Sequence, residues 1–212
     1  MNPPTPDAPV TTKARRTYAG TEERRERLLG TVAQLIAEKG YEAASMRDIS
    51  EAMDVSPAGL YYHFKSKEDL LFQIQHRTFA VLLAQQEAAL AMSGTAEERF
   101  RRLMHGHLAF FSSHPNELKV CTYEMESLKG EPFQQVEELR RRYHRLFSGV
   151  VAELMADHVP AEQKADRSRH ASLFVYGMLN WIFMWYDPSR HGTVEQIGEE
   201  MIDLALNGLR PR

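Results

Sequence analysis

The side chains best suited to do chemistry by contact lie between Ser45 and Lys67. Arg47, Tyr61, Tyr62, His63, Lys65 and Lys67 offer N–H or O–H donors, and the Arg and Lys groups add positive charge. Such groups suit phosphate oxygens and base edges. Ala58 and Gly59 stand among them and add almost no bulk. At about 100° per residue, Pro57, Leu60, Tyr61 and Phe64 fall on one side of a short helix. Ala58, Gly59, Tyr62 and His63 fall on the other. A small, polar outer face suits a helix that enters a major groove end-on. Phosphate contacts are expected from Ser45, Tyr61, His63, Lys65 and Lys67, and base reading from Arg47, Ala58, Gly59 and Tyr62.

A second group lies further along. Met104, His107, Phe110, Phe111, Cys121, Met125, Phe147, Tyr176, Asn180 and Phe183 are mostly large, flexible or aromatic. Side chains of this kind fill cores, and they also line apolar ligand cavities. Asn180 is the polar exception: an amide in so apolar a helix needs a partner, whether backbone, a second subunit or a ligand. Arg140, Arg141, Arg142 and Arg145 form the polar side of a long helix. They are either a solvated face or a site for an anionic head group.

Metal and catalytic chemistry find little support. There are nine histidines, but His105 and His107 point to different sides of a helix and no His-Glu-x-x-His pair exists. No Gly-rich phosphate loop or nucleophile elbow occurs. No metal, no catalytic residue and no enzymatic activity are expected. The single cysteine excludes a disulfide framework within the chain.

The elements that must hold the first group are legible from caps. Ser45 and Asp48 have the spacing of a capping box. Ile49, Ala52 and Met53 follow at helical spacing, and Asp54 stands where a left-handed turn residue is wanted. Ser56 caps again, Pro57 suits the first helical position, and Ser66 opens the next helix with Asp69 at its third position.

These residues carry a resemblance. Gly40-Tyr41, Ser45-Met46-Arg47-Asp48-Ile49, Val55-Ser56-Pro57-Ala58-Gly59-Leu60-Tyr61-Tyr62-His63-Phe64 and Lys65-Ser66-Lys67-Glu68-Asp69-Leu70 resemble the DNA-binding domain of TetR-type transcriptional regulators. The match covers roughly Thr21 to Phe72. Ser50 and Asp54 depart from the usual Ala and Gly, but Ser is nearly as small and Asp tolerates the turn. Asn180-Trp181, Trp185-Tyr186-Asp187-Pro188 and Leu206-Asn207-Gly208-Leu209 look like the ligand domains of the acyl-CoA-responsive branch. That resemblance implies no bound cofactor but an acyl-CoA thioester as effector, with Arg140, Arg141 and Arg145 toward its phosphates.

The rest of the chain reads as helix. Thr21 is expected to cap the first helix, Gly40 to end it, and residues 1–20 to form a disordered basic tail. That tail is either a solvated leader or an arm reaching phosphates or the minor groove. A long helix from Lys67 to about Met92 leads into helices starting at Thr95, after Pro115 and after Pro132, the last running to about His158. Between Leu173 and Tyr186 almost no polar face remains, so a single helix there is expected to be buried on all sides. Half of that burial is assigned to a second subunit, through Leu173, Trp181, Trp185, Met201 and Leu204.

Net charge is −3, and basic and acidic residues nearly balance through Lys67. A nucleic-acid surface must therefore come from placement, not bulk charge. No apolar run is long enough to span a membrane, and a cytoplasmic location with no membrane partner is expected. The expected fold is all-α with about nine helices: a helix-turn-helix DNA-binding domain over 21–66, then a ligand-binding and dimerisation domain over 67–212. The expected function is a homodimeric, ligand-responsive repressor on a palindromic double-stranded DNA operator. The alternatives are a DNA-binding regulator without a small-molecule effector, and an α-helical enzyme or adaptor.

Overall fold

The computed structural model describes residues 12–156 and 159–208, with side chains from residue 25 onward. Those residues form ten α-helices and one 3-10 turn, with no strand among them. Helix α1 spans Thr12–Lys39 and stops at Gly40, whose φ of +84° is the left-handed cap a glycine adopts without strain. The expected cap at Thr21 is corrected, because α1 runs through it, and residues 12–20 are helical rather than a disordered tail. All four prolines of this stretch precede Val10, and Ala14, Arg15, Arg16 and Ala19 are good helix formers. The remainder of the expected tail, residues 1–11, lies outside the described residues.

Helices α2 (Met46–Ala52) and α3 (Pro57–His63) follow. Ser45 and Asp48 close the capping box in both directions, Ser56 Oγ accepts the Gly59 N–H, and Asp54 takes φ +51° in the turn. Helix α4 (Lys67–Ala91) starts at the Ser66 cap, and α5 (Ala96–Ser113) starts at a Thr95–Glu98 capping box. Helix α6 covers Pro115–Tyr123, so Met125 and Leu128 sit in the loop after it, and α7 covers Gly130–Leu154, ending short of His158.

The all-round apolar helix is also corrected. Helix α8 (Ala161–Asn180) ends at Asn180, a 3-10 turn (Ile182–Met184) follows, and α9 (Pro188–His191) adds a single turn. Helix α10 (Val194–Asn207) begins at a Thr193–Gln196 capping box, and Leu209 lies outside the described residues. Only Ser168, Ser172, Val175 and Leu179 of α8 are buried, while Leu173 and Phe174 are exposed. The break gives α8 an ordinary amphipathic face and leaves Trp181, Met184 and Trp185 on the surface.

Two cores form, and α4 belongs to both. Ile36 of α1, Ile49 of α2, Leu60 of α3 and Leu70 and Ile74 of α4 pack in the first core, joined by Val120 of α6 and Val136 of α7. Leu82 and Leu83 of α4 enter the second core with Phe100, Phe147, Leu179 and Ile202. Each fully buried aliphatic or Phe side chain contributes about 1.5–3 kcal/mol. Residue 67 therefore opens a helix that is shared between the two units. Where α4 crosses α5, buried Gln86 donates from Nε2 to Leu103 O at 3.3 Å. A Cβ on Gly106 would come within 2.7 Å of that amide, which explains the glycine there.

Candidate nucleic-acid interface and effector cavity

Most of the expected set is accessible in and around α2 and α3. Ser45, Arg47, Ala58, Tyr62, His63 and Lys65 are exposed and Gly59 half-buried. Tyr62 stands 86% exposed and leans edge-on against His63, with ring centroids 5.1 Å apart. Tyr61, placed by periodicity on the inner side, is 56% exposed, because α3 is too short for Leu60 and Phe64 to leave a wide covered face. Among the described residues, Arg47 pairs with exposed Glu51 at 2.9 Å. Exposed pairs of this kind are weak, so the guanidinium can exchange its partner for a base edge or phosphate. Ser45 Oγ and the Ser45 N–H both reach Asp48, whose other oxygen takes the Lys39 ammonium at 2.9 Å. The Ser45 hydroxyl and amide and the Lys39 ammonium hold the Asp48 carboxyl well below the usual carboxylate range.

Lys67 differs from the expectation. Its ammonium donates to Tyr41 O at 2.9 Å and Glu42 O at 3.3 Å, and lies 4.4 Å from the centre of the Tyr41 ring. Two of its three donors thus moor the α1–α2 turn instead of facing solvent. Lys67→Ala is expected to cost about 1.5–3 kcal/mol of stability, the range for hydrogen bonds to a charged group. Urea denaturation checks this. If stability is untouched while the salt slope of DNA binding flattens by about one unit, the ammonium serves a phosphate instead.

A cavity of about 510 Å³ lies among α4, α5, α6, α7 and α8. Of the expected ligand set, His107, Phe111, Cys121, Met125, Arg140, Arg141, Arg145, Tyr176 and Asn180 line it. Four do not. Met104 and Phe147 are fully buried core, Phe110 stacks on His114 at 4.5 Å beside a different recess, and Phe183 packs edge-on against Tyr123. Sequence reasoning missed Phe79, Leu82, Leu118, Thr122, Glu137, Tyr143 and His144. Tyr143 was within reach, one turn before Phe147 on the same stripe of α7. Leu173, assigned to a second subunit, is exposed and also lines the cavity.

The cavity runs from dry to wet. His107 is 1% exposed and its Nδ1 lies 2.8 Å from the Tyr143 hydroxyl. Burial pushes the His107 pKa down to about 3 and the Cys121 thiol up to about 12, so both are neutral near pH 7. At the rim, Arg140 and Arg141 share the Glu137 carboxylate at 3.2 and 3.0 Å, and Arg145 pairs with Glu138 at 2.9 Å.

A separate apolar groove joins α8 to α10. Met178, Trp181, Trp185, Ile197, Met201 and Leu204 line it, so four of the five expected interface residues share one surface. Trp181 is 51% exposed, while Met201 is largely covered within its own protomer. No helix among the described residues is long and apolar enough to cross a membrane, and no cluster of three metal-ligating side chains occurs among them.

Comparison with known proteins agrees with this geometry. A family model for bacterial regulatory proteins of the tetR family matches residues 28–74, and a tetracyclin repressor-like C-terminal domain model matches residues 93–209. The HTH-type transcriptional repressor KstR2 of Rhodococcus jostii (strain RHA1) is 24% identical over 193 residues, spanning 90% of this chain and 93% of that protein. The crystal structure of the TetR family transcriptional regulator PfmR from Thermus thermophilus superposes with a TM-score of 0.76 at 31% identity, covering 87% of this chain and all of that one. The crystal structure of AibR in complex with isovaleryl coenzyme A and operator DNA superposes with a TM-score of 0.75 at 25% identity, covering 85% and 97%.

Proposed function

The chain belongs to the TetR family of transcriptional regulators, and we propose that it is a non-enzymatic, cytoplasmic repressor released from its operator by an acyl-CoA thioester. It acts as a homodimer on a palindromic operator, one reading head per half-site. The observation that carries the effector reading is the cavity itself. Its volume lies within the ordinary range for small-molecule sites, its wall is aromatic and aliphatic, and arginines stand at its rim. The acyl group occupies the interior and the CoA phosphates take Arg140, Arg141 and Arg145. Those arginines now pair with Glu137 and Glu138, but Arg141 and Arg145 are exposed, so phosphates compete at low cost. Similarity to KstR2, a repressor, and to AibR, solved with isovaleryl coenzyme A and operator DNA, supports the same reading.

The test is titration of the protein–operator complex with acyl-CoA thioesters, the matching free acids and CoA alone. Thioesters are expected to release DNA while acids and CoA do not. Affinity should rise by about 0.8 kcal/mol for each further buried CH₂ until the cavity is full. Indifference to every thioester would leave a DNA-binding regulator whose cavity holds a different hydrophobe or none.

A further inference from the structure

The inner wall of the cavity carries more polar groups than an alkyl chain needs. His107, Tyr143, His144 and Tyr176 all line it, and the other three rings surround Tyr176, with centroids 5.1 to 6.3 Å away. Three of their polar atoms are buried with no hydrogen-bond partner among the described residues: His107 Nε2, His144 Nε2 and the Tyr176 hydroxyl. Leaving such a group unpaired is costly, and here three share one wall. Native proteins rarely leave buried polar groups without a partner, so the cluster calls for one.

The donor pattern can be worked out. His107 is the deepest of the group, and its ring is neutral. The Tyr143 hydroxyl has His107 Nδ1 as its hydrogen-bond partner. In the tautomer where the Tyr143 O–H donates to Nδ1, the His107 proton sits on Nε2. Nε2 is then a donor, and the Tyr176 hydroxyl, which also lies close to the Tyr143 hydroxyl, supplies a second when its proton turns from that oxygen to the effector's. Two neutral donors on one dry wall fit an uncharged oxygen with two lone pairs. They do not fit a carboxylate, whose charge two neutral donors on a dry wall leave unbalanced. Nor do they fit a saturated chain, which would leave all three atoms unpaired.

Building on the acyl-CoA reading, we infer that the effector's buried acyl group carries a neutral oxygen, a ketone or a hydroxyl, which His107 and Tyr176 bind at the inner end of the cavity. The cavity thereby selects oxidised acyl groups over plain alkanoyl groups of the same length. Positioning of the oxygen falls to Tyr143, which fixes the tautomer of His107.

The experiment compares medium-chain acyl-CoA thioesters with counterparts in which one methylene far from the thioester is a ketone. Binding is measured by calorimetry on the wild-type protein and on Tyr176→Phe, which removes only the hydroxyl and keeps the ring packing. Wild type is expected to bind the keto thioester about tenfold more tightly than its methylene counterpart, the worth of a good hydrogen bond. Tyr176→Phe should bring that ratio to within about threefold, whatever common change it makes to the affinity for both thioesters. If both thioesters bind wild type equally, the oxygen site is overturned while the acyl-CoA reading stands. If Tyr176→Phe weakens plain and keto thioesters alike and their ratio stays as in wild type, the thioester carbonyl is the true partner and the inference falls. If no thioester binds at all, the acyl-CoA reading fails and this inference fails with it.

Discussion

Replacing Trp181 by glutamate is expected to convert a dimer into a monomer and to lower operator affinity at least about a hundredfold. Trp181 projects, half exposed, from the groove between α8 and α10, beside Trp185 and Leu204. In the proposed dimer this groove meets its own copy across a two-fold axis, so each substitution acts twice. Burying an unpaired carboxylate costs several kcal/mol, enough to dissociate an interface held mainly by apolar contact. Without the dimer, the second reading head no longer benefits from the effective concentration set by the first, a factor of about 10² to 10⁴. Sedimentation equilibrium and operator titration give the two readouts. A wild-type monomer at micromolar concentration would remove both the interface and the palindromic operator. A dimeric Trp181→Glu protein would move the interface elsewhere.

How far the sequence could be read depended on whether a segment carried its own phase. Between Ser45 and Asp69 nearly every boundary has a local marker: a capping box, a left-handed Asp54, a Pro57 at the first helical position. These act within one turn, so they survive without knowledge of tertiary contacts. From Leu173 to Tyr186 the pattern is apolar throughout, and such a run has no periodicity to mark where α8 gives way to a 3-10 turn. At the other end, Thr21-Glu22-Glu23 has the chemistry of a helix start, yet α1 continues through it because the residues before it also favour helix.

The cavity divided along similar lines. Asn180 was identifiable because an amide in an apolar helix needs a partner, and it lines the wall together with His107, Arg140 and Arg141. Phe147 and Met104 could not be separated from lining residues, because core and cavity use the same side chains and differ only in what lies opposite. Lys67 carries a second role that the sequence does not show. A lysine beside a reading helix suits phosphate, and only the fold reveals that its ammonium also donates to Tyr41 O and Glu42 O.

Glu124→Ala is expected to leave both ligands bound but to uncouple them. Glu124 caps the end of α6, two residues after Thr122 and just before Met125, both in the cavity wall. Its Oε1 accepts the Tyr41 N–H at 3.1 Å, its Oε2 accepts the Ser127 hydroxyl at 2.8 Å, and its carbonyl accepts buried Gln75 of α4 at 2.8 Å. Tyr41 in turn is tied to Lys67 at the start of α4. An effector that displaces Thr122 and Met125 therefore pulls directly on the turn beneath α2 and α3. Coupling between an effector and DNA is typically about 1–3 kcal/mol, or 5- to 150-fold in affinity. Residues along such a connection carry about 0.5–2 kcal/mol of it. Alanine removes both carboxylate acceptors and leaves the Tyr41 N–H unpaired, at about 1–3 kcal/mol of stability, so the measurement belongs well below the unfolding midpoint. The ratio of operator affinities without and with effector is expected to drop about tenfold, while effector affinity for the free protein changes less than about threefold. Glu124→Gln keeps an oxygen for the Tyr41 N–H and should retain most of the ratio. Full release in Glu124→Ala would mean that α4, which belongs to both cores, transmits the signal without α6.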